Sequence, residues 1–285
     1  MTGKDRIVAE RGAGRRARPW NLYVGGALVG LTAAMALVSL VWLPHDPIET
    51  NVLHRFQGPG AEHWLGTDQF GRDLFSRILA GARTTLAVGV AAVGFGVTFG
   101  AVIGGGAAFL GRWTDELLMR VMDAVGAYPP VLSALLLASV MGPGAVSGTL
   151  AIGIASVPVF ARLTRASILS LRAADFVEAA RALGASDARI VARHLWPNTS
   201  GVLLVQATIT FAHAVLAEAA LSYLGLGTQP PAPGWGRMLR EAQDFLIFSP
   251  YPAVFPGVAI ALTVLGLNLL GDGLRDRLDP RTRRH

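Results

Sequence analysis

The feature that most limits what this 285-residue chain can fold into is a series of apolar runs, each near the length needed to cross a bilayer. A helix spans the hydrocarbon core with about 20 predominantly apolar residues. Leu22–Leu43 and Leu86–Leu110 meet that requirement without one charged residue. Val121–Met141 carries Asp123 near its start and Pro129-Pro130 in its middle, and Val146–Ala161 is shorter, with Pro158 near its end. Val202–Leu224 holds His213 and Glu218, and Ala253–Leu270 holds Pro256 and Asn268. Charged residues make up 15% of the chain, against about 25% in a soluble domain. The expectation is an all-α, polytopic membrane protein with six transmembrane helices. The first run follows a basic segment, as a signal peptide would. It is too long for a typical apolar signal region and ends Val41-Trp42-Leu43-Pro44 rather than in small residues, which predicts a retained anchor.

The formal net charge is +6. In a soluble protein that would suggest nucleic acid, but the placement of the arginines explains it better as topology. Arg6, Arg11, Arg15, Arg16 and Arg18 precede the first run, and Arg112 and Arg120 follow the second. Arg162 to Arg193 follow the fourth, and Arg275 to Arg284 follow the sixth. The opposite face keeps Arg55, Arg72, Arg77, Arg83, Arg237 and Arg240. The positive-inside rule therefore predicts cytoplasmic termini and a cytoplasmic loop after the fourth span. The expected organisation is a basic tail at 1–21, the first helix with an external loop at 22–85, a core at 86–271, and a C-terminal tail at 272–285.

The loop at 173–198 carries the clearest local chemistry. Ala, Leu, Glu and Arg up to Leu183 favour helix. Gly184 suits the left-handed residue that ends one. Ser186 is placed to cap a second helix, with Asp187 in its first turn. Pro197 is expected to close that helix at Trp196. Two short helices with a sharp bend should project from the membrane as a finger. Phe176, Ala180 and Leu183 share one face by their spacing, which leaves Glu178 on another.

Glu178-Ala179-Ala180, then Gly184, then Pro197 at this spacing resembles the "EAA" loop of ABC-importer permeases. In that family the loop is the coupling helix that sits in a groove of the ATPase subunit. The resemblance implies a type I importer-like fold and an ATPase-coupling role for Glu178, Ala179, Ala180, Leu183, Gly184 and Pro197. Trp196 stands where the family usually has an aliphatic residue. Two further blocks resemble the dipeptide/oligopeptide/nickel permease group, in its shorter, C-type form. One runs from His63-Trp64-Leu65-Gly66-Thr67-Asp68 to Arg77, and the other from Glu218 through Gln229-Pro230-Pro231 to Gly234-Trp235-Gly236. Thr67 or Asp68 is expected to cap the following helix, with Arg72, Asp73 and Arg77 interlocking. These blocks read either as binding-protein contacts or as turns and interfacial anchors.

Asp123, His213 and Glu218 are costly in a membrane and need a role. They read either as pathway or proton-relay groups, or as packing and helix-end groups, and the second reading is favoured for Asp123 and Glu218. Gly96, Gly100 and Gly104 recur every four residues, as a close helix contact would require. Lys4 is the sole lysine, so no phosphate-loop motif exists, and no His-Glu-x-x-His or Gly-x-Ser-x-Gly occurs. The chain lacks cysteine, which removes thiolate chemistry.

The resemblance implies a permease subunit for di- or oligopeptides in the cell inner membrane, not an enzyme itself. Its partners would be a homologous second permease, two ATPase subunits or a fused ATPase, an extracytoplasmic binding protein and the lipid bilayer, with no nucleic acid. ATP and Mg would sit on the ATPase partners, leaving no cofactor on this chain. Nickel, glutathione or another small solute are alternative cargoes, and a proton-coupled secondary transporter is the rival mechanism.

Overall fold

The computed structural model describes residues 19–278. The basic tail before Pro19 and the arginines after Leu278, on which the expected orientation leans, lie outside the described residues. The elements in chain order begin with α1 (Pro19–Val41) and α2 (Leu74–Leu110), followed by α3 (Arg112–Ala127), α4 (Pro130–Met141) and α5 (Ala145–Arg172). Then come α6 (Asp175–Ala182), α7 (Asp187–Ile190), α8 (Trp196–Tyr223), α9 (Trp235–Ala242) and α10 (Tyr251–Leu278). No strand occurs among the described residues.

Five of the six expected spans appear as single stretches of helix long and apolar enough to cross a bilayer, those of α1, α2, α5, α8 and α10. The third does not form as one straight span over 121–141. Helix α3 starts earlier, at Arg112, and meets α4 at a bend of 87°. The two prolines explain the break. Tyr128 precedes Pro129 and is extended, at φ −84° and ψ 124°, as the clash with the proline ring demands. Pro129 is extended too, and Pro130 then starts α4 at the first helical position, where a missing N–H costs nothing. Helix α3 is two-faced, with Met122 buried against Val157 and Ala161 of α5 while Arg112, Glu116 and Arg120 are exposed.

The broken pair still carries the chain across. Asp115, in the first turn of α3, pairs with Arg165 in the arginine-bearing half of α5. Beyond the far end of α4, Gly144 N–H bonds Leu226 O at the opposite end of the molecule, 3.2 Å away. We call these the finger end and the loop end.

The most extensive helix pairing joins α2 to α5. A Cβ on Gly96 would lie 2.7 Å from Ser156 Cβ, and one on Gly104 would lie 2.1 Å from the Ala161 carbonyl oxygen. The glycine spacing is therefore the contact itself, since small residues let helix backbones approach where lipid supplies no hydrophobic drive. Helix α1 packs on α10, where Thr32 and Thr263 hydroxyls meet at 2.9 Å.

Helix α2 begins twelve residues before the expected Leu86 and has 37 residues. At 1.5 Å per residue that is about 55 Å, well beyond a hydrocarbon layer of about 30 Å. The helix is therefore too long to lie wholly within that layer along its normal, and its first turns are buried by the 42–73 segment and α9.

A methyl group at position 104 must push backbone aside. Gly104→Ala should lower the thermal midpoint in detergent, by about 1–3 kcal/mol of overpacking. Gly94, whose Cβ would meet nothing within 4 Å, supplies the control, and Gly94→Ala should leave the midpoint unchanged or raise it.

Candidate functional site

The finger forms where local chemistry places it. Gly184 has φ +79°. Its N–H reaches Arg181 O at 2.9 Å, while Ala185 N–H reaches Ala180 O at 3.0 Å. These are the paired bonds of a Schellman ending, and Ala180 and Ala185 pack in the same cluster, as such an ending favours. Ser186 caps α7, its hydroxyl accepting from Arg189 N–H at 3.4 Å.

The second arm corrects the expectation at Pro197. The helix does not close at Trp196. It passes through a π-helical turn, Val191–Leu195, and runs on as α8. Pro197 sits in the first turn of α8, where its lack of an N–H is tolerated. Neighbouring side chains help satisfy the carbonyls around it. Asn198 Nδ2 donates to His194 O at 2.7 Å, and Thr199 Oγ1 donates to Leu195 O at 2.9 Å. The finger is thus a short free arm, α6, turned back onto an arm that is continuous with a membrane span.

Burial separates the faces of α6. Val177 is fully buried among Ile168, Ile190 and Leu195. Ala180 lies at the edge of that cluster, whereas Phe176, Glu178, Ala179, Leu183 and Gly184 are exposed, Leu183 at 88%. Pro197 is exposed as well. At the base of the finger, Arg172 Nη1 donates to Ala108 O at 2.6 Å and its guanidinium lies over the Phe109 ring at 5.1 Å. That contact ties the ends of α5 and α2 together beneath the finger. The outer face of α6 is therefore an exposed apolar strip beside an acid, on a fixed base.

The three polar residues of the spans fall in different surroundings. Asp123 is exposed and accepts from Arg162 Nη1 at 2.9 Å. His213 is exposed on α8. Glu218 is buried, its Oε1 accepting from Ser222 Oγ at 2.7 Å and Thr228 Oγ1 at 3.3 Å. Its Oε2 has no hydrogen-bond partner, and the residue lines a small pocket together with Val88, Gly148, Thr149 and Ile152. None of the three bonds another.

At the loop end the two distant sequence blocks become one assembly. Asp73, not Thr67 or Asp68, caps α2, accepting from Ser76 N–H at 2.7 Å. Asp68 instead organises its own turn, accepting from Phe70 N–H and Arg72 N–H at 2.8 and 3.0 Å and from Arg72 Nε at 2.6 Å. Glu241, which sequence reasoning missed, is the hub. It accepts from Arg72 at 2.5 Å, Arg77 at 3.2 Å and Arg237 at 2.9 Å. The i,i+4 spacing of Arg237 and Glu241 was the one signal available. Trp235 is fully buried, donates to Ile78 O at 3.0 Å, and fills the space a side chain on Gly81 would need.

Burial pushes the Glu241 carboxyl up, but the Arg72 and Arg77 charges and the bonds from Arg237 and Arg72 outweigh it, holding it below the usual carboxylate value.

The family model for the binding-protein-dependent transport system inner membrane component matches residues 96–284. A dipeptide transport system permease protein of Alkalihalophilus pseudofirmus is 47% identical, covering 82% of this chain and 77% of its own length. A putative peptide transport system permease protein of Brucella suis is 44% identical over 98% of this chain and 93% of its own. A glutathione transport system permease protein of Escherichia coli is 46% identical over 94% and 89%. Among solved structures, an inward-facing MetNI methionine ABC transporter chain superposes with a TM-score of 0.58 at 20% identity. It covers 70% of this chain and 95% of its own, a likeness of fold alone.

Because Glu241 sits below its unfolded value, its stabilisation is present at neutral pH and lost as pH falls through the depressed folded value. Glu241→Gln should lower the neutral-pH thermal midpoint, since it leaves the buried Arg77 with Asp68 as its one remaining carboxylate, a loss bounded above by the cost of a broken buried pair, about 3–5 kcal/mol. A midpoint series from pH 7 downward should fall less steeply on the acid side for the variant than for the parent.

Proposed function

The chain belongs to the family of binding-protein-dependent transport system inner membrane components, and on that premise we propose that it forms half of the translocation pathway of an ATP-driven importer of di- or oligopeptides. The observation that carries the mechanism is the unbroken path from the exposed face of α6, through the Gly184 bend and the π-helical turn, into α8. A nucleotide-driven movement of an ATPase docked on Phe176, Glu178, Ala179 and Leu183 would travel along that path into a membrane-crossing helix. The alanines permit close approach, and Glu178 offers a charge to a basic rim.

The chain itself is a transport component, and the ATP chemistry is assigned to partners, because a phosphate loop needs a lysine that the sequence holds only at Lys4. Two ATPase subunits or a fused pair, a homologous second permease and an extracytoplasmic binding protein complete the proposed assembly. The finger end carries Arg162, Arg165, Arg172, Arg181, Arg189 and Arg193, which supports a cytoplasmic finger and cytoplasmic termini. The peptide cargo is drawn from relatives whose names specify dipeptide, peptide and glutathione transport. A proton relay through Asp123, His213 and Glu218 finds no support, as the first is paired to Arg162, the third is enclosed, and none of the three hydrogen-bonds another.

Glu178→Arg, in the complete complex reconstituted into vesicles, should cut ATP-driven peptide uptake at least tenfold, equivalent to about 1.4 kcal/mol of lost coupling. Uptake at the parental rate from a normally assembled complex would remove α6 as the coupling element.

A further inference from the structure

Three of the six histidines of the chain, His45, His54 and His63, lie in the segment between α1 and α2. Two of them converge on the residue that caps α2. His63 Nδ1 is 3.0 Å from Asp73 Oδ1, and His45 Nδ1 is 3.8 Å from the same oxygen. The ligand atoms of all three side chains fall within 4.8 Å of one another. We propose that His45, His63 and Asp73 form a binding site for a divalent transition metal of the zinc type.

Four observations carry this beyond an ordinary hydrogen bond. Bonds of about 2.0–2.1 Å in a tetrahedral zinc site place neighbouring ligand atoms about 3.3 Å apart, and the distances of 3.0 and 3.8 Å straddle that value. A hydrogen bond accounts for His63 but not for His45, whose Nδ1 is sealed from solvent, lacks a partner and stands too far from Asp73 Oδ1 to bond it. Asp73 divides its work, with Oδ2 accepting from Ser76 N–H while Oδ1 faces the imidazoles.

The three ligands are also held from behind. His45 N–H donates to Ser76 Oγ at 3.1 Å, and His63 O accepts from both Gly60 and Gly66 N–H at 2.9 Å. Such prior fixing of the backbone lowers the cost of assembling a site. Imidazole and carboxylate together suit borderline divalent ions.

The His45 side chain is 37% exposed and those of His63 and Asp73 are 7% and 1% exposed, so the group lies just beneath the surface on the His45 side, within reach of an entering ion. A bound ion would strap the segment after α1 and the His63 turn to the first turn of α2, stiffening the loop end of the molecule.

The test uses the full-length chain in detergent, purified without a histidine tag, stripped by chelator dialysis and titrated with Zn2+. Co2+ serves as a spectroscopic substitute. Saturable uptake of one ion per chain is expected, with the intense visible bands of tetrahedral Co2+. His45→Gln should weaken binding at least tenfold, and His63→Gln should do the same. The metal-free thermal midpoint of His45→Gln should match the parent, because the ring of His45 makes no hydrogen bond.

His54, Glu62 and His63 form a second, overlapping group, which supplies the discriminating arm. Glu62→Gln should leave binding unchanged. Absence of saturable uptake by the parent chain overturns the assignment. So does loss of the ion in Glu62→Gln with retention in His45→Gln, which would move it to the other group.

Discussion

Inside a hydrocarbon layer a peptide group has no water to turn to, so each N–H and C=O must be satisfied within the protein. Two breaks in the described helices show how that demand is met. Where the helix breaks between α3 and α4, prolines remove two of the donors that would otherwise be stranded, and Tyr128 N–H turns back to Val125 O. Where the ladder widens at Val191–Leu195, Asn198 and Thr199 side chains take up carbonyls beside Pro197. The helices can then come together only by shape. Gly96, Gly100 and Gly104 set α2 against α5, and the remaining spans are arranged around that pair.

The two ends of the molecule solve different problems with different chemistry. The finger end leaves an apolar strip uncovered, with Leu183 almost wholly exposed and Val177 beneath it wholly buried. Val177 fixes α6 in place, so its outer face is held rather than floating. At the loop end the charges are drawn inward. Arg77 is 1% exposed, and such a cation is tolerable because Glu241, Asp68 and the Pro47 carbonyl surround it. An uncovered apolar face and a sealed charge cluster are thus separated by the length of α2, and Arg172 and Arg77 fasten its opposite ends.

Apolar length made five spans legible, because the bilayer imposes one physical requirement that composition alone meets. The third span was misread because a run of hydropathy cannot show direction, and the consequence of Pro129-Pro130 is a change of direction. Gly184 and Ser186 were legible because caps are local. Pro197 was not, since its stop signal is also local but yields to the packing of Leu195 and the side-chain bonds of its neighbours. Asp73 lost out to Thr67 and Asp68 because three candidate caps lie within seven residues. Glu241 was out of reach, as its value comes from partners across the fold. The glycine stripe was legible as a spacing, and the contacts that a Cβ would meet on α5 are what separate it from the spacings that 34 glycines produce by chance.

The separation of those partners along the chain sets an order of events. Arg77 and Glu241 are 164 residues apart, and Ile78 and Trp235 are 157 apart. A ribosome makes the arginines first, so for the time it takes to synthesise everything from α2 to α9 the pair has Asp68 alone for an acid, and the groups that Glu241 will later engage must remain hydrated. The seal at the loop end is therefore made late, when helices α2 to α8 have already been synthesised. A chain truncated ahead of Trp235 would carry every span but the last and still be left with an unplugged arginine well, which makes that well a natural mark of an unfinished molecule.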